Sequence, residues 1–593
     1  MSARVICFFK RCFFDRVSGV FLEDAMKFST TRLCLALSVA LTGVIASSPA
    51  IANAKKKVIV PTVKPAQIKT NEQDLKSTSV TPVDFRATQA TQNGNPKAWE
   101  AFQDIRRKYR AGEIGDEGMW AAITSIADEI TTMSHAQQAS VLQTQATLMF
   151  KANQPILAAV YAAQAIRDAG DPFSDEYRRA WQILRDVSKT NPIQNLVEIV
   201  ATSIDTSNKS APGFGSDWNY FLANALMKTN KIQKALALYK QVKPGDRYYF
   251  PSRFQEAMIM LDAGQKLDAI TALKAIVYPA KGIGKKITNS EYLAMVDHAN
   301  MALGRIYYEE RQFSDAIKQY RMVRRESAQF YDSLFEQSWA LFLAGYPNHA
   351  LGMIYAIRSP FFKDTFNPEA TMLASIIYYW MCRYDDSRTE LANFMSNHQQ
   401  AIDALDRYLA RGITDPNTYY RLFEDTVTGV SSEALGLPRE VLVMATQQDN
   451  LLYVRDQYAS VIGEIQRLDA KGVYGSRERL EGPRSYLDRW AAVLREDIGI
   501  RLKNELMAMK KDYERLYDQG QFLYVELLMS KKDQLLGKEL HSEGKINKVT
   551  QMDNIRGWGK KTQSWASDDK QEYWADELGF HIYRIEPMCV AKN

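Results

Sequence analysis

The sequence predicts an all-α protein in which a stack of paired helices precedes a long helical hairpin. Two observations support this prediction. In five stretches in the middle of the chain, a small residue is followed twelve positions later by another small residue. Farther along, apolar residues from Leu502 to Leu527 alternate in steps of four and three, which is a heptad seam. Both periods are helical, so neither region is expected to form a sheet.

The small-residue pairs recur at nearly constant spacing. Their first members are 34, 47, 34 and 37 residues apart, so the longer steps indicate loop insertions between units of 34. Two helices cross closely only where a small side chain lies at the crossing and large apolar residues flank it. The pairs are Ala223/Ala235, Ala257/Ala269, Gly304/Ala316, Ser338/Ala350 and Ser375/Ser387.

On these residues, the chain resembles the tetratricopeptide-repeat (TPR) family over roughly residues 136–400. The resemblance implies a TPR-like helical-repeat solenoid, which the long hairpin or coiled-coil segment follows. Because this fold hosts many binding roles, the resemblance implies little about function beyond protein binding.

Length and charge limit the classes of function. A chain of 593 residues can bury a large core and is expected to hold two or three domains. Its 75 Lys and Arg against 69 Asp and Glu give a formal charge of +6, which is modest at this length. A nucleic-acid binder needs a basic stripe to meet phosphates, so no nucleic-acid partner is expected.

Residues 26–54 have the pattern of a secretory signal peptide. A basic start at Lys27 is followed by an apolar run, residues 33–46, and by a small-residue motif that ends at Ala54. We expect translation to begin at Met26, cleavage to follow Ala54, and the mature chain to be periplasmic, either free or peripheral to a membrane. The apolar run is too short to span a bilayer, and no transmembrane segment is expected after cleavage.

Composition divides the chain further. Residues 55–96 are rich in Lys, Thr, Pro and Gln and have no helical period, which indicates a flexible linker. The predicted segments are 1–54, the upstream segment and signal peptide; 55–96, the linker; 97–400, about seven helix pairs; 401–445, an irregular helical connector; 446–541, the hairpin or coiled coil; and 542–593, a Trp-rich tail.

Cleavage after Ala54 leaves two cysteines, Cys382 and Cys589. An exported chain encounters oxidising conditions, so the two can pair. They are 207 residues apart, and sequence does not show proximity, so a buried Cys382 and a free Cys589 is an equally open alternative.

The heptad seam leaves the partner of the long helix open. Glycines between 471 and 483 suggest a turn, which would fold helix 450–470 antiparallel against helix 484–541. An intermolecular coiled coil is the competing interpretation, and it would make the chain self-associate.

The tail has a different composition from the rest of the chain. Its run Glu572–Gly579 resembles the C-terminal tail of repeat proteins associated with gliding motility in predatory and gliding bacteria. The resemblance implies an envelope motility or cell-surface machine. Trp558, Trp565 and Trp574 are candidates for binding a second partner, and the alternative is that they dock the tail onto the helical hairpin as a cap.

No pattern of catalytic residues emerges. Soluble lytic transglycosylases also combine a signal peptide with a helical solenoid, but their Glu-Ser and Gly-Leu-Met-Gln motifs do not occur after residue 401. The six histidines are scattered and form no His-Glu-x-x-His motif, and no Cys/His spacing fits zinc. We therefore expect no catalytic residue, no metal and no cofactor.

The first helix of each unit is expected to line the concave face of the solenoid. Its apolar and aromatic positions would suit an amphipathic helix or an extended peptide. The same stripe is also compatible with core packing between units. The predicted partner-binding residues are Tyr220, Asn224, Phe254, Met258, Arg305, Tyr308, Phe335, Trp339, Phe342, Tyr379 and Trp380.

The sequence thus favours a non-enzymatic periplasmic scaffold that binds protein partners in a bacterial envelope complex. The alternative is a peptidoglycan enzyme of the lytic-transglycosylase type, or a regulator of one. Release of soluble muropeptides from purified peptidoglycan would favour that alternative.

Overall fold

The described part of the chain is almost entirely helical, which confirms the all-α prediction. The structure is a computed structural model. It describes residues 94–169, 171, 174–190, 216–228, 230–279, 290–362, 365, 367–470, 474, 477–537, 541–542, 563–564 and 577–591. The predicted signal peptide and linker up to residue 93, and Trp558, Trp565 and Trp574, lie outside these ranges.

Six helices make up the N-terminal part. The Asn95 side chain accepts hydrogen bonds from the N–H groups of Lys97 and Ala98, so it caps the first helix. Ser134 and Gln137 form a capping box at the fourth. The helices are α1 (Pro96–Arg110), α2 (Asp116–Ser125), α3 (Ala127–Ile130), α4 (His135–Lys151), α5 (Pro155–Ala169) and α6 (Asp175–Thr190).

Five helix pairs follow, and each packs on the next. All ten predicted small residues are buried. A Cβ atom on Gly304 would lie 2.5 Å from the Tyr320 ring, so that crossing requires a glycine. The pairs are α7 (Ser216–Lys228) with α8 (Ile232–Gln241), α9 (Tyr249–Asp262) with α10 (Lys266–Val277), α11 (Ser290–Glu309) with α12 (Phe313–Tyr320), α13 (Phe330–Leu343) with α14 (Pro347–Ile357), and α15 (Pro368–Trp380) with α16 (Tyr384–Leu409).

The same three-residue turn joins the two helices of every pair. In each turn, the N–H of the third residue donates a hydrogen bond to the carbonyl of the residue five positions earlier. In the first pair, Lys231 donates to Leu226 at 2.8 Å. Asn153 repeats the conformation between α4 and α5. The middle residue of the five later turns has a positive φ and lies seven positions after the first small residue: Asn230, Gly264, Arg311, Gly345 and Cys382.

The repeat region ends later than predicted. Helix α16 continues without a break to Leu409, because Ala401, Leu405 and Tyr408 keep an apolar stripe buried beyond residue 400. The connector then consists of α17 (Pro416–Thr428), α18 (Ser432–Leu435) and α19 (Arg439–Thr446).

Two antiparallel helices, α20 (Asp449–Asp469) and α21 (Glu481–Leu535), form the C-terminal hairpin. A 3₁₀ turn, Arg477–Leu480, precedes α21. With 55 residues, α21 is about 80 Å long. Its first turns pack in the same core as Trp120 and Leu148, whereas Leu516 and Leu523 pack in the core of the last helix pairs.

Four two-residue strands complete the described part of the chain. They form two parallel pairs, and His541, expected at the end of the long helix, lies in one of them because α21 ends at Leu535. The strands are β1 (His541–Ser542) with β4 (Val590–Ala591), and β2 (Gln563–Ser564) with β3 (His581–Ile582).

Candidate functional site

The predicted partner-binding residues lie on the first helices of the five pairs. Five of the eleven are buried: Phe254, Tyr308, Phe335, Trp339 and Phe342. A buried side chain cannot meet a partner at the surface, so these five form the core packing that was the alternative interpretation. Partner binding stays a prediction for the six half-buried residues, which are Tyr220, Asn224, Met258, Arg305, Tyr379 and Trp380.

Several of the half-buried residues contact neighbouring helices. Arg305 of α11 forms a bidentate ion pair with the buried Glu336 of α13, with its Nη2 atom 2.6 Å from Oε1. The Asn224 side chain accepts a hydrogen bond from the Tyr239 hydroxyl. The Trp380 ring meets Phe342 edge-on at 5.2 Å. These contacts link one helix of the stack to another.

Helix α21 covers the last helix pair. The Tyr379 hydroxyl lies 3.1 Å from Ser530 Oγ. A Cβ atom on Gly520 would lie 2.8 Å from both Phe394 and Met395, so α21 approaches α16 closely at that glycine. The chain's own long helix therefore occupies part of the surface on which a partner was expected.

The last four turns of α21 expose a large apolar surface. From Phe522 to Leu536, nine of fifteen residues are apolar, and they point in all directions around the helix. Leu523 and Leu527 face the core, whereas Phe522 is 69% exposed, Met529 64% and Leu535 77%. We call the exposed set the outer ridge: Phe522, Tyr524, Val525, Leu528, Met529, Leu535 and Leu536.

The outer ridge lies on a helix that is held firmly. Lys531 forms an ion pair with Asp385 at 2.8 Å, and Lys510 forms one with Asp406 at 2.9 Å. Lys510 precedes Lys531 by 21 residues, and Asp406 follows Asp385 by 21 residues, so both ion pairs belong to one antiparallel alignment of α21 with α16. Leu527 packs with Cys382 beside them. Because a helix that is apolar all round is normally buried, the outer ridge has the character of a binding surface.

The heptad seam is covered by the chain itself. It packs against α16, α17, α19 and α20, so association of folded chains would have to use another surface. The buried seam residues are Leu502, Leu506, Met509, Tyr513, Leu516, Gly520, Leu523 and Leu527.

The end of the tail, residues 577–591, docks on the last helix pairs. The Tyr583 N–H donates to the Asn348 carbonyl at 3.0 Å, and the Met588 N–H donates to the Met381 carbonyl at 2.9 Å. Cys589 forms a disulfide with Cys382, with the Cα atoms 5.4 Å apart. The structure therefore resolves the open question of cysteine pairing in favour of the bond.

Buried ionisable groups lie close to these contacts. Burial lowers the pKa of His398 on α16 and of His581 in the tail to about 4, so both are neutral at pH 7. Burial, with the nearby Asp512 carboxylate, raises the pKa of Glu369 on α15 to about 8. These groups lie within packed helices, and their shifts reflect desolvation.

No protein-family model matches the chain, and no curated protein is similar to it. Within the described ranges, no three His, Cys, Asp or Glu side chains are grouped so as to hold a metal ion. None of the helices in the same ranges combines the length and apolar character needed to cross a bilayer.

Sequence reasoning missed the outer ridge. The heptad seam accounts for Leu523 and Leu527 but not for the other apolar residues of the same turns. The signal in the sequence is an excess of apolar residues. A half-buried helix needs apolar residues on one face only, whereas residues 522–536 have them on every face.

Proposed function

We propose that the protein is a non-enzymatic scaffold of the bacterial periplasm that binds a protein partner through the outer ridge of α21. The observation that supports this most is the exposure of Phe522, Met529 and Leu535 on a helix whose opposite face is buried at Leu523 and Leu527. Apolar side chains at that density on a fixed surface favour association, because covering them removes apolar area from water.

The spacing of the ridge indicates the kind of partner. Phe522, Val525 and Met529 follow each other at steps of three and four on one helix face. Such a row packs against an amphipathic helix or into a hydrophobic groove. Lys532 and Asp533 lie beside it, so a partner with mixed charge at its rim would be matched.

The wider proposal has three further parts. The repeated pairs with their identical left-handed turns support a TPR-like solenoid as the platform for α21. The pattern of residues 26–54 supports export to the periplasm. The tail resemblance at Glu572–Gly579 supports a role in a motility or cell-surface machine.

A crosslinked pull-down from the native envelope tests the partner surface. The double variant Phe522→Gln, Met529→Gln is expected to lose partners that the unchanged chain captures. Its melting temperature should stay nearly constant, because both side chains are exposed.

Leu267→Gln is the matched control, since Leu267 is an exposed apolar residue on α10, away from the ridge. It should retain the partners. Equal capture by the double variant and the control would contradict the proposed binding surface.

A further inference from the structure

A cleft of about 220 Å³ opens between the N-terminal helices and the start of α21. Helices α2, α4 and α5 form its walls, and the 3₁₀ turn and Gly482 form its rim. Trp120 and Tyr161 meet edge-on at 6.2 Å in its wall, and Tyr474 stacks on Trp120. The cleft is therefore built where two distant parts of the chain meet, and its aromatic wall is fixed.

Neutral amides supply the interior polarity of this cleft. Gln145 is 9% exposed and lines it, and no described residue forms a hydrogen bond with its amide. Gln138 donates to the carbonyls of Thr131 and Met133 at 3.2 and 2.9 Å, which leaves its carbonyl oxygen as an acceptor. The Gln145 amide faces the cleft, where a ligand with a donor and an acceptor can take the place of the water that bonds it.

The charge of the cleft lining and the spacing of its two glutamines limit the class of ligand further. Arg479 at the rim is exposed, and no acidic side chain lines the cleft. Gln138 and Gln145 are seven residues apart on one helix, which places their Cα atoms about 10 Å apart along its axis. Three extended peptide units span about 10 Å. A cleft of about 220 Å³ favours a ligand with small side chains.

We infer that this cleft binds the carboxy-terminal end of a short peptide with small side chains. A peptide N–H would donate to the Gln138 carbonyl oxygen, and the Gln145 amide would both donate to and accept from the peptide backbone. The terminal carboxylate would meet the Arg479 guanidinium at the rim. Trp120, Tyr161 and Leu142 would cover the small apolar side chains.

Isothermal titration calorimetry of the full chain with acetyl-trialanine, which contains three peptide units, tests this site. A ligand of this size is expected to bind with a Kd of about 0.1–1 mM. Gln145→Leu should weaken binding at least tenfold, because it removes the amide and keeps the volume. Arg479→Gln should weaken binding of the carboxylate about tenfold and leave binding of the corresponding peptide amide unchanged.

Two further variants distinguish binding in this cleft from binding elsewhere. Gly482→Phe adds a ring at the rim, where a Cβ atom meets nothing within 4 Å, so it should block entry without disturbing the fold. Gln143→Leu is the matched control, because its amide bonds to Thr147 on the same helix. It should bind as the unchanged chain does.

Absence of binding heat with a folded chain at about 5 mM peptide would overturn the inference. So would binding that persists unchanged in both Gln145→Leu and Gly482→Phe. Neither result bears on the outer ridge, which lies at the other end of α21.

Discussion

At the residue scale, two buried glutamates differ in the hydrogen bonds that their carboxylates form. Glu464 of α20 is fully buried, and its carboxylate accepts the N–H groups of Ile156 and Leu157 at 2.8 Å each. It thereby caps α5 from another part of the chain. Glu369 is also buried, but no described residue forms a hydrogen bond or an ion pair with it. Burial raises the pKa of Glu464 to about 7 although the two N–H groups oppose the shift, and it raises that of Glu369 to about 8, so Glu369 is expected to cost more stability above neutral pH.

Glu369→Gln is therefore expected to stabilise the protein at high pH. Burial raises the pKa of Glu369 from 4.5 to about 8, so the folded chain holds a proton that the unfolded chain releases between those values. The native glutamate loses stability as pH rises through that window, and the glutamine does not. We expect a gain of about 2–4 kcal/mol in the free energy of unfolding at pH 8.5.

Urea unfolding at pH 4.5 and pH 8.5 measures the difference. The gain should nearly vanish at the lower pH, where the glutamate is protonated in the folded chain and half protonated in the unfolded chain. A variant with the same effect at both values would show that the carboxylate does not titrate as its burial requires. Glu481→Gln, at an exposed position, is the control.

At the element scale, glycines fix how closely α21 meets its neighbours. A Cβ atom on Gly499 would lie 1.9 Å from the carbonyl oxygen of Pro416, at the start of α17. Gly463 of α20 is also within a helix, but its nearest neighbour is the end of the Arg467 side chain at 3.4 Å. The two glycines therefore differ in function although their local sequence settings are alike.

Substitution by alanine should have opposite effects at these positions. Gly499→Ala is expected to lower the free energy of unfolding by about 1–3 kcal/mol, because α17 must move away from α21. Gly463→Ala should raise it by up to about 1 kcal/mol through helix propensity. Denaturant unfolding of the two variants side by side checks the signs, and equal effects would contradict the close approach at Gly499.

The helix pairs could be predicted from sequence because their requirement is local. Ala223 and Ala235 lie twelve residues apart and are buried in one cluster within one unit, so the constraint is visible in a short stretch of sequence. The tail could not be placed, because Asn348 and Ile585 bond across 237 residues with no shared period. The outer ridge could not be predicted for a similar reason, because the exposure of Phe522 depends on which surfaces the rest of the fold covers.

At the scale of the whole molecule, long-range links hold the two ends of the described chain to the helix stack. Tyr474 donates to the Leu148 carbonyl and thereby joins the hairpin to the N-terminal helices. The tail lies against α14, where a Cβ atom on Gly352 would lie 1.8 Å from the His581 carbonyl oxygen. The Cys382–Cys589 disulfide then closes a loop of the chain that contains the connector and the hairpin.

Loss of this disulfide is expected to destabilise the protein by about 2–5 kcal/mol, because the bond restricts the unfolded chain over a long loop. Cys589→Ser should lower the melting temperature, and dithiothreitol should lower it equally in the unchanged chain. The reductant should have no further effect on the variant. A melting temperature that reductant does not change would contradict a stabilising role for the bond.

The most direct measurement is site-specific photo-crosslinking in cells. A photoreactive phenylalanine analogue at position 522, on the outer ridge, is expected to give a discrete adduct of higher mass with a protein partner. The same analogue at position 339, where Trp339 is buried between helix pairs, should give none. An adduct from position 339 and none from position 522 would contradict the outer ridge as the binding surface.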